Sequence, residues 1–411
     1  MLSVPEAQQR ILSLFSPIPE TTFVPLEQAA GRILSADVFA DTDLPAFDNS
    51  SVDGFAVRAA DLASASAQAP LRLPVIGDIP AGSSPSFELG PGQAARIMTG
   101  APLPAGADAV VMVEDSDFNN RAAGLAAPTS VALSRAVASG ENVRPRGMDI
   151  RMGRLILSAG ARLRAQEIGM LAMLGLARVA VRRAPRVAVL STGDEVLPVQ
   201  APLQPGKIHD ANAYTLAALA EGAGCEIIRL GIAADTRASV QQKLEAALDA
   251  KADVILCSAG VSVGAFDYVK EVVQANGALD FWKVDMRPGK PLAFGRYGNV
   301  PFFGLPGNPV AAFVGFLVFV EPVLRRLNGL AAPLRPRVRA VLGEAVESDG
   351  RESYLRALLD FEDGKYVARF PTNQSSGNLF SLVESNALLI IPSGVKSCPL
   401  GTEVEAWLME R

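Results

Sequence analysis

Acidic residues follow two short apolar runs in the second half of the chain. Asp194 and Glu195 come shortly after Arg186–Leu190, and Asp267 ends the small-residue stretch that follows Val254–Cys257. An apolar run, a small-residue turn and a helical pattern are typical of a parallel α/β sheet, whose ligands lie beyond the carboxyl ends of the strands. Carboxylates that meet there favour a hard divalent ion such as Mg²⁺. These side chains are therefore candidate metal ligands.

Small residues and prolines form the turns at three predicted strand ends, which span 191–195, 258–264 and 305–309. Backbone N–H groups can approach an anion closely where side chains are small, and a helix N-terminus adds a favourable dipole. Ordinary tight turns between a strand and a helix explain the same composition equally well. The residues that would face a ligand are Thr192, Gly193, Ser258, Gly260, Ser262, Gly264, Pro306, Gly307 and Pro309.

Four polar residues in this region have simpler interpretations. Asp235 precedes a helical run in an Ala-Asp-Thr segment, and is predicted to be the N-cap of that helix. Asp194 is expected to hydrogen-bond within its own turn. His209 is the only histidine, so a two-histidine metal site is excluded and any Ser-His-Asp triad depends on it. We expect it in a surface loop, next to Asp210, which also precedes a helix.

Two cations flank a turn in the segment MRPGKP. Arg287 and Lys290 lie on either side of Pro288 and Gly289, between two predicted strands. Two cations on a rigid hairpin suit an oxyanion, although an ordinary charged hairpin has the same composition. Together with the carboxylates and the N–H-rich turns, the pair indicates phosphoryl or anhydride chemistry that depends on a metal ion and on positioning.

The first half of the chain contributes a second set of polar residues. Four aspartates lie within Asp41–Val57, among them Asp53, and Thr99 lies at the end of a predicted strand. Six arginines fall between positions 144 and 164, together with Asp149. The aspartate segment is either a functional loop or a set of polar turns. The arginine-rich segment is either a strip that faces an anion or a salt-bridged linker. The residues alone leave both open.

Composition limits the class of protein. The chain has 411 residues, 49% hydrophobic and 20% charged, which predicts a globular protein of two to four domains. The net charge of −5 argues against general nucleic-acid binding. Three widely spaced cysteines and an N-terminus without signal-peptide features predict a cytoplasmic protein. The longest apolar run, Val310–Val320, is too short to span a bilayer and is predicted to be a buried helix.

The order of predicted elements indicates a multidomain α/β and β protein. Strand–helix alternation predicts a doubly wound, mostly parallel α/β domain. Short strands between Gly and Pro turns predict an inserted small β domain and a C-terminal β-barrel. An amphipathic helix is predicted over residues 4–15. The predicted domains are an N-terminal helical and linker domain (1–50 plus 139–178), the inserted β domain (51–138), the α/β domain (179–328) and the barrel (329–411).

Eight motifs, in this order, resemble those of the molybdopterin molybdenumtransferases, the MoeA and gephyrin E-domain family. They are DNSSVDGFAV, RIMTGAPLP, GENVRPRGMDI, STGDE, SAGVSVGAFDY, MRPGKPLAFG, LPGNPV and NQSSGNLFSL. The resemblance covers nearly the whole chain, and eight motifs in register are far more specific than any one alone.

The resemblance implies a fold and an activity. Family members are elongated homodimers of four-domain subunits, with an α/β domain of the molybdopterin-binding type. They insert molybdenum from molybdate into adenylylated molybdopterin and release AMP, with Mg²⁺ expected. The active cleft combines the α/β domain of one subunit with the β domain of the other. Transient contacts with other proteins of molybdenum cofactor synthesis are also implied.

The resemblance also implies roles for residues in the matching motifs. Glu195 and Asp267 would hold Mg²⁺ or polarise the adenylyl phosphate. Arg287 and Lys290 match a cationic hairpin that meets molybdate or the pterin phosphate. The implied catalytic residues are Asp53, Thr99, Asp149, Glu195, Asp235 and Asp267. The further implied substrate-binding residues are Arg144, Arg356 and Ser376, with the last two near the molybdate.

Three positions depart from the family pattern. Ala259 stands where the family usually has glycine, and its methyl group requires a negative φ. Arg287 often corresponds to lysine, which is a point charge and not a planar fork. The Asn-Gln-Ser-Ser segment replaces a glycine-rich turn, so the choice between Ser375 and Ser376 stays open.

Two other functions are compatible with parts of the sequence. One is a molybdopterin adenylyltransferase or related nucleotide pyrophosphatase, built on the same α/β domain. The long N-terminal segment and the β domain count against it. The other is a pterin-binding scaffold without turnover, and the retained acidic residues Asp53, Asp149, Glu195 and Asp267 count against that one.

Overall fold

The computed structural model describes residues 1–118, 126–258, 268–371 and 373–409. The chain divides into two compact units. The larger comprises Met1–Ala36, Ala159–Ile168 and Ala177–Arg411, and the smaller comprises Asp37–Ser158 and Gly169–Leu176. The fold is multidomain and mixes α/β with β architecture, as predicted.

The larger unit contains a six-stranded sheet, called the central sheet below. The first four strands in spatial order are parallel, and the last two are joined by antiparallel pairings, so that Pro291–Tyr297 alone among the six strands runs in the opposite direction. This arrangement confirms the mostly parallel sheet predicted from strand–helix alternation. In spatial order the strands are Glu226–Ala233, Arg186–Thr192, Val254–Ser258, Val300–Leu305, Pro291–Tyr297 and Gly277–Lys283.

Apolar residues alternate between the two faces of the central sheet. Val187 and Val189 belong to one buried cluster, which includes residues of the helix Ala211–Gly222 and of the helical segment after Asn308. Ala188 and Leu190 belong to a second cluster, which includes the helix Arg237–Asp249. Both faces are therefore covered, as in a doubly wound fold, and the strand pattern is apolar throughout.

The helices mostly lie where the sequence predicts them. The apolar run Val310–Val320 is indeed buried helix, and it contains one π-helical turn. The first helix is shorter than predicted because Ser13 caps its C-terminus, which leaves Leu14 70% exposed. The α-helices are Val4–Leu12, Ala165–Met173, Ala211–Gly222, Arg237–Asp249, Tyr268–Asn276, Pro309–Gly315, Glu321–Leu327 and Phe380–Val383. The π-helical turn is Phe316–Val320.

Five strands near the C-terminus form a closed barrel. Closure follows because Glu352–Glu362 pairs with both Lys365–Arg369 and Ala387–Ile391. A closed sheet leaves no exposed edge strand, and the predicted C-terminal β-barrel is confirmed. In order around the barrel the strands are Glu352–Glu362, Lys365–Arg369, Val338–Leu342, Glu403–Leu408 and Ala387–Ile391.

The smaller unit contains a five-stranded sheet. Its strands pair antiparallel except for one parallel pair, between Leu71–Ile79 and Ala94–Ile97. Two apolar clusters are built on its strands. In spatial order the strands are Ala109–Met112, Gly54–Val57, Ala94–Ile97, Leu71–Ile79 and Ser130–Leu133.

Short strand pairs complete both units. In the smaller unit they are Val38–Phe39 with Leu155–Leu157, and Asn49–Ser50 with Val143–Arg144. In the larger unit they are Thr21–Pro25 with Arg178–Arg182, Val196–Leu197 with Ile208–His209, and Val346–Glu347 with Ser397–Cys398. Among the helices of the described residues, none is both long enough and apolar enough to cross a membrane.

Candidate functional site

The strands that precede the three predicted turns end at one edge of the central sheet. Ser191 is the register partner of Ser258, which is in turn the register partner of Leu305. The three strands are parallel neighbours, so their carboxyl ends lie side by side. Residues 259–267 lie outside the described residues, and with them Ala259, Gly260, Ser262, Gly264 and Asp267.

The first of these turns brings a carboxylate over a glycine. Gly193 has φ +127°, and a Cβ built on it would lie 2.7 Å from Oε2 of Glu195. A side chain at position 193 would therefore strain the backbone and displace that carboxylate. Glu195 is exposed, whereas Thr192 is buried at the strand end.

Asp194 and Asp235 hold each other's backbone. The N–H of Asp194 donates to Oδ2 of Asp235 at 3.2 Å, and the N–H of Asp235 donates to Oδ1 of Asp194 at 3.1 Å. The Asp194 carboxylate thus bonds to a neighbouring turn, whereas a bond within its own turn was expected. The prediction that Asp235 caps the next helix is wrong, because the side chain of Thr236 accepts from Ser239 N and is the N-cap.

A cavity of about 350 Å³ in the larger unit contains five of the predicted site residues. Cationic and polar side chains from the central sheet and from the barrel line it together. The predicted residues among its lining are Arg287, Lys290, Pro306, Arg356 and Ser376. The other polar lining residues are Ser375, which was the alternative to Ser376, and four that were not predicted as site residues, Asn308, Arg351, Tyr354 and Gln374.

Arg356 is the most buried cation of this cavity, with 1% of its surface exposed. Its Nε donates to Ser381 Oγ and its Nη2 to the Ser375 carbonyl, both at 3.1 Å. Within the described part of the chain it forms no ion pair. Burial, and secondly the charge of Arg287, lower the pKa of Arg356 to about 10. A buried charge of this kind is costly unless an anion compensates it.

Two of the other cations, Arg351 and Arg287, share the carboxylate of Asp349. Arg351 Nη2 lies 2.5 Å from Asp349 Oδ2, and Arg287 Nη1 lies 4.0 Å from the same oxygen. The hydrogen bond from Arg351 is the main cause that lowers the pKa of Asp349. Four cations therefore line the cavity, and Asp349 is the one carboxylate that forms an ion pair with any of them among the described residues, so the cavity suits an anion.

The MRPGKP segment is not the tight hairpin that we predicted. Lys283 pairs with Pro291, so residues 284–290 form a wide loop between two strands of the central sheet. Within this loop, Met286–Arg287 pairs in parallel with Glu352–Ser353 of the barrel. The loop therefore belongs to both structures, and this pairing places Arg287 near Arg356. We call residues 284–290 the cation loop.

The turn after Val300–Leu305 is tied to the barrel side of the cavity. Val310 N donates to the Ser376 carbonyl at 3.1 Å, and Asn308 Nδ2 donates to Ser376 Oγ at 3.3 Å. The N–H of Val310 is consequently used within the protein and does not face the crevice, contrary to expectation for this turn. Ser375 and Ser376 both line the cavity.

Four predicted site residues lie in the smaller unit, where they form two pairs. Asp53 Oδ1 accepts from Thr99 N at 2.8 Å and from Thr99 Oγ1 at 2.7 Å. Arg144 Nη2 lies 2.6 Å from Asp149 Oδ2. Hydrogen bonds thus fix Asp53 and Thr99 relative to each other, and an ion pair does the same for Arg144 and Asp149.

Buried polar residues at the start of the helix Ala211–Gly222 were not recognised as a group from the sequence. Asp210 is the N-cap, and it also accepts a hydrogen bond from Ser191. Asn212 donates to the carbonyl of Gly307 at 2.8 Å. The sequence shows that Asp210 precedes a helix, but it does not predict the residues to which Asp210 is hydrogen-bonded. His209 is exposed, as expected, although it lies in the short strand Ile208–His209 and contacts the Ala201 carbonyl.

Carboxylate oxygens at the strand ends have the donor chemistry that Mg²⁺ prefers. Glu195 is exposed and accessible to an ion, and Asp194 and Asp235 lie in adjoining turns. The described residues include no group of three acidic, cysteine or histidine side chains arranged to hold a metal. The second predicted ligand, Asp267, lies outside them.

This combination defines a class of protein. It is a multidomain protein whose doubly wound α/β domain and C-terminal β-barrel share a cavity lined by four cationic side chains. Comparison with known families is more specific. Residues 2–175 match the MoeA N-terminal region (domains I and II), residues 188–326 a probable molybdopterin binding domain, and residues 339–409 the MoeA C-terminal region (domain IV).

Full-length relatives agree with these matches. The chain is 42% identical to a molybdopterin molybdenumtransferase of Nostoc sp. over 393 residues, which are 94% of this chain and 88% of the relative. It is 39% identical over 415 residues to molybdopterin molybdenumtransferase 2 of Mycobacterium tuberculosis, covering 99% of both. A solved molybdopterin biosynthesis MoeA protein from Pyrococcus horikosii is 34% identical, with TM-score 0.82 and full coverage of both chains.

The chain belongs to the MoeA family of molybdopterin molybdenumtransferases. The resemblance drawn from eight motifs is thereby confirmed.

Proposed function

We propose that this chain inserts molybdenum from molybdate into adenylylated molybdopterin and releases AMP, as a step of molybdenum cofactor biosynthesis. The observation that carries the proposal is the burial of Arg356 in a cavity that also contains Arg287 and Lys290. Molybdate is a tetrahedral dianion, and it would supply the negative charge that this cavity lacks. We assign Arg287, Lys290, Arg356 and Ser376 to molybdate or to the adjoining phosphate.

The turns at the carboxyl edge of the central sheet would bind the pterin and its phosphates. Their small residues allow the backbone to approach a ligand closely. This proposal includes residues outside the described ranges. The residues assigned here are Thr192, Gly193, Ser258, Gly260, Ser262, Gly264, Pro306, Gly307 and Pro309.

The acidic residues of the same edge would promote release of AMP. We propose that Glu195 and Asp267 hold Mg²⁺, with Asp235 kept in place by its bonds with Asp194. When bound, the ion would neutralise charge that develops on the phosphates as the anhydride bond breaks. The support for an ion at this position is the type of ligand available, because exposed carboxylates lie in adjoining turns and carboxylate oxygens are the ligands that Mg²⁺ prefers.

Asp53, Thr99, Arg144 and Asp149 would complete the cleft from a second copy of the chain. We therefore propose a cytoplasmic homodimer with two composite clefts and the four-domain division expected from the sequence. Transient contacts with other proteins of cofactor synthesis belong to the same proposal. Sedimentation tests the dimer: a monomer at micromolar concentration would contradict the composite cleft.

The decisive experiment mixes the purified protein with adenylylated molybdopterin, Mg²⁺ and molybdate. We expect AMP release that requires molybdate and falls strongly in an Asp267→Asn variant. Chelation of Mg²⁺ should abolish release, and adding it back should restore release. Equal AMP release without molybdate would indicate a nucleotide pyrophosphatase, and no release at all would favour a pterin-binding scaffold.

A further inference from the structure

The helix Ala211–Gly222, called the capped helix below, begins at the carboxyl edge of the central sheet. Its N-cap, Asp210, is 6% exposed. Oδ1 of Asp210 accepts from Ala213 N and from Ser191 Oγ, each at 3.0 Å. The first bond is an ordinary helix cap. The second links the helix to the end of a strand, which a cap does not require.

Ser191 extends this link to the neighbouring strand. Its hydroxyl oxygen lies 3.1 Å from that of Ser258, and each residue is 2% exposed. Because a carboxylate only accepts, Ser191 donates to Asp210 and must accept from Ser258. The proton of Ser258 is then committed, and its oxygen is left to accept. Toward a ligand, Ser258 would therefore suit an N–H group of a pterin and not a phosphate oxygen.

Asn212 forms a second link from the same helical turn. Its Nδ2 donates to the Gly307 carbonyl at 2.8 Å, in the turn that follows Val300–Leu305. The first turn of the capped helix is consequently bonded to two strand ends directly, at Ser191 and Gly307, and to the third, Ser258, through Ser191. These three strand ends belong to the proposed pterin and phosphate site.

We propose that Asp210 is a positioning residue, which acts through Ser191 on Ser258, and that Asn212 acts in the same way on Gly307. The catalytic consequence rests on the proposed function, whereas the structural consequence does not. A buried hydrogen-bond chain is costly when it is only partly satisfied, so it favours a single arrangement of the strand ends. Displacement of a site by about 1 Å costs on the order of 100-fold in rate.

Two substitutions at position 210 separate capping from positioning. Asp210→Ser keeps a good N-cap but is too short to reach Ser191 as well. Asp210→Asn keeps the length and an acceptor oxygen for both bonds. Ser191→Ala breaks the same link from its other end and leaves the cap intact. Ser3→Ala is the matched control, because it removes the side-chain cap of the first helix.

Hydrogen exchange of the free protein measures the structural consequence. In Asp210→Ser and Ser191→Ala, the amides of residues 191–196 should exchange about fivefold faster or more, as expected for loss of one buried hydrogen bond. Asp210→Asn and Ser3→Ala should match the wild type in this segment. Molybdate-dependent AMP release measures the catalytic consequence. In the first two variants kcat should fall about 10- to 100-fold, with KM changed less than about threefold.

Unchanged exchange in both Asp210→Ser and Ser191→Ala would overturn the inference. So would an Asp210→Asn variant that is as impaired as Asp210→Ser, because capping or charge would then explain the effect. Faster exchange with wild-type kcat would overturn the positioning role. If the wild type itself releases no AMP, the proposed function fails, and hydrogen exchange still decides whether Asp210 holds the strand ends.

Discussion

Asp194 and Asp235 each donate a backbone N–H to the other's carboxylate, at 3.2 and 3.1 Å. The two residues are 41 positions apart in the chain, and their bonds tie together the turns after two neighbouring strands of the central sheet. In this arrangement the position of either carboxylate depends on the backbone of the other turn.

Asp194→Ala should therefore affect Asp235. The substitution removes the acceptor for Asp235 N, which should cost about 1 kcal/mol of stability because the bond is exposed. AMP release should fall about tenfold or more, since the Asp235 turn loses one of the two bonds that fix its position. Thermal unfolding and steady-state kinetics measure the two effects. Asp194→Asn retains an acceptor oxygen and should remain closer to the wild type, and equal loss in both variants would contradict this explanation.

Arg356→Met should abolish binding of molybdate to the cavity. The free protein should lose less than about 1 kcal/mol, because removal of an unpaired buried charge offsets the lost hydrogen bonds. The measurement is the melting temperature with and without molybdate. The wild type should be stabilised by molybdate, and the variant should show no shift. Arg337→Met, at an exposed ion pair with Glu405, is a control that should keep the shift.

The pH dependence of stability should reveal the same buried charge. Burial lowers the pKa of Arg356 to about 10, from 12.5 for an ordinary arginine. Between these values the unfolded chain binds more protons than the folded one, so this group makes stability rise with pH. Below about pH 10 the guanidinium is charged in both the folded and the unfolded state, and its burial then lowers the free energy of unfolding by the full amount. Denaturant unfolding of wild type and Arg356→Met on both sides of pH 10 measures the difference. The wild type should gain relative to the variant as pH rises, and a constant difference would contradict the assignment.

Two inactive variants should complement each other if the cleft is composite. Co-expression of Asp53→Asn with Glu195→Gln chains would give mixed dimers, in which one of two clefts has both native residues. Random pairing then predicts about a quarter of the wild-type activity for dimers of two-fold symmetry. If both residues acted within one subunit, every cleft would carry a defect and the mixture would stay inactive. AMP release by the co-expressed mixture distinguishes the two cases.

The three cysteines should be unreactive in the folded protein. Cys225, Cys257 and Cys398 are all buried. Burial raises the pKa of Cys225 to about 12, and burial also raises the pKa of Cys398. Thiolate is the reactive form, so a thiol reagent at mildly alkaline pH should modify none of them quickly. All three should react in denaturant, and one fast thiol in the native protein would contradict the burial.

Local sequence patterns predicted the elements well, because burial and turn formation leave direct traces in composition. The strand ends at Ser191, Ser258 and Leu305 are examples, since small residues follow apolar runs at each. The N-cap of the helix Arg237–Asp249 was harder to predict, because Asp235 and Thr236 are adjacent. Both are good caps, and the bond between Asp235 and Asp194 decides which one faces the helix.

Long-range pairings could not be predicted from single residues. Arg356 lies in a strand whose neighbours are set by closure of the barrel, so its burial beside Arg287 has no local signal. The same holds for Asp210, because its bond to Ser191 spans 19 residues and two elements. The site residues that came from motif resemblance were found without any knowledge of these contacts. The contacts then explain how several of them share one cavity.

The cation loop has a consequence for how this protein can be divided. Its segment Met286–Arg287 hydrogen-bonds as a strand with Glu352–Ser353 of the barrel, although it is inserted between two strands of the central sheet. A chimera with a junction near residue 329 would exchange one side of that pairing and leave the other behind. Recombination that preserves the cavity must therefore transfer the loop and the barrel together. The segments that must stay together do not coincide with the C-terminal domain as it is divided along the chain.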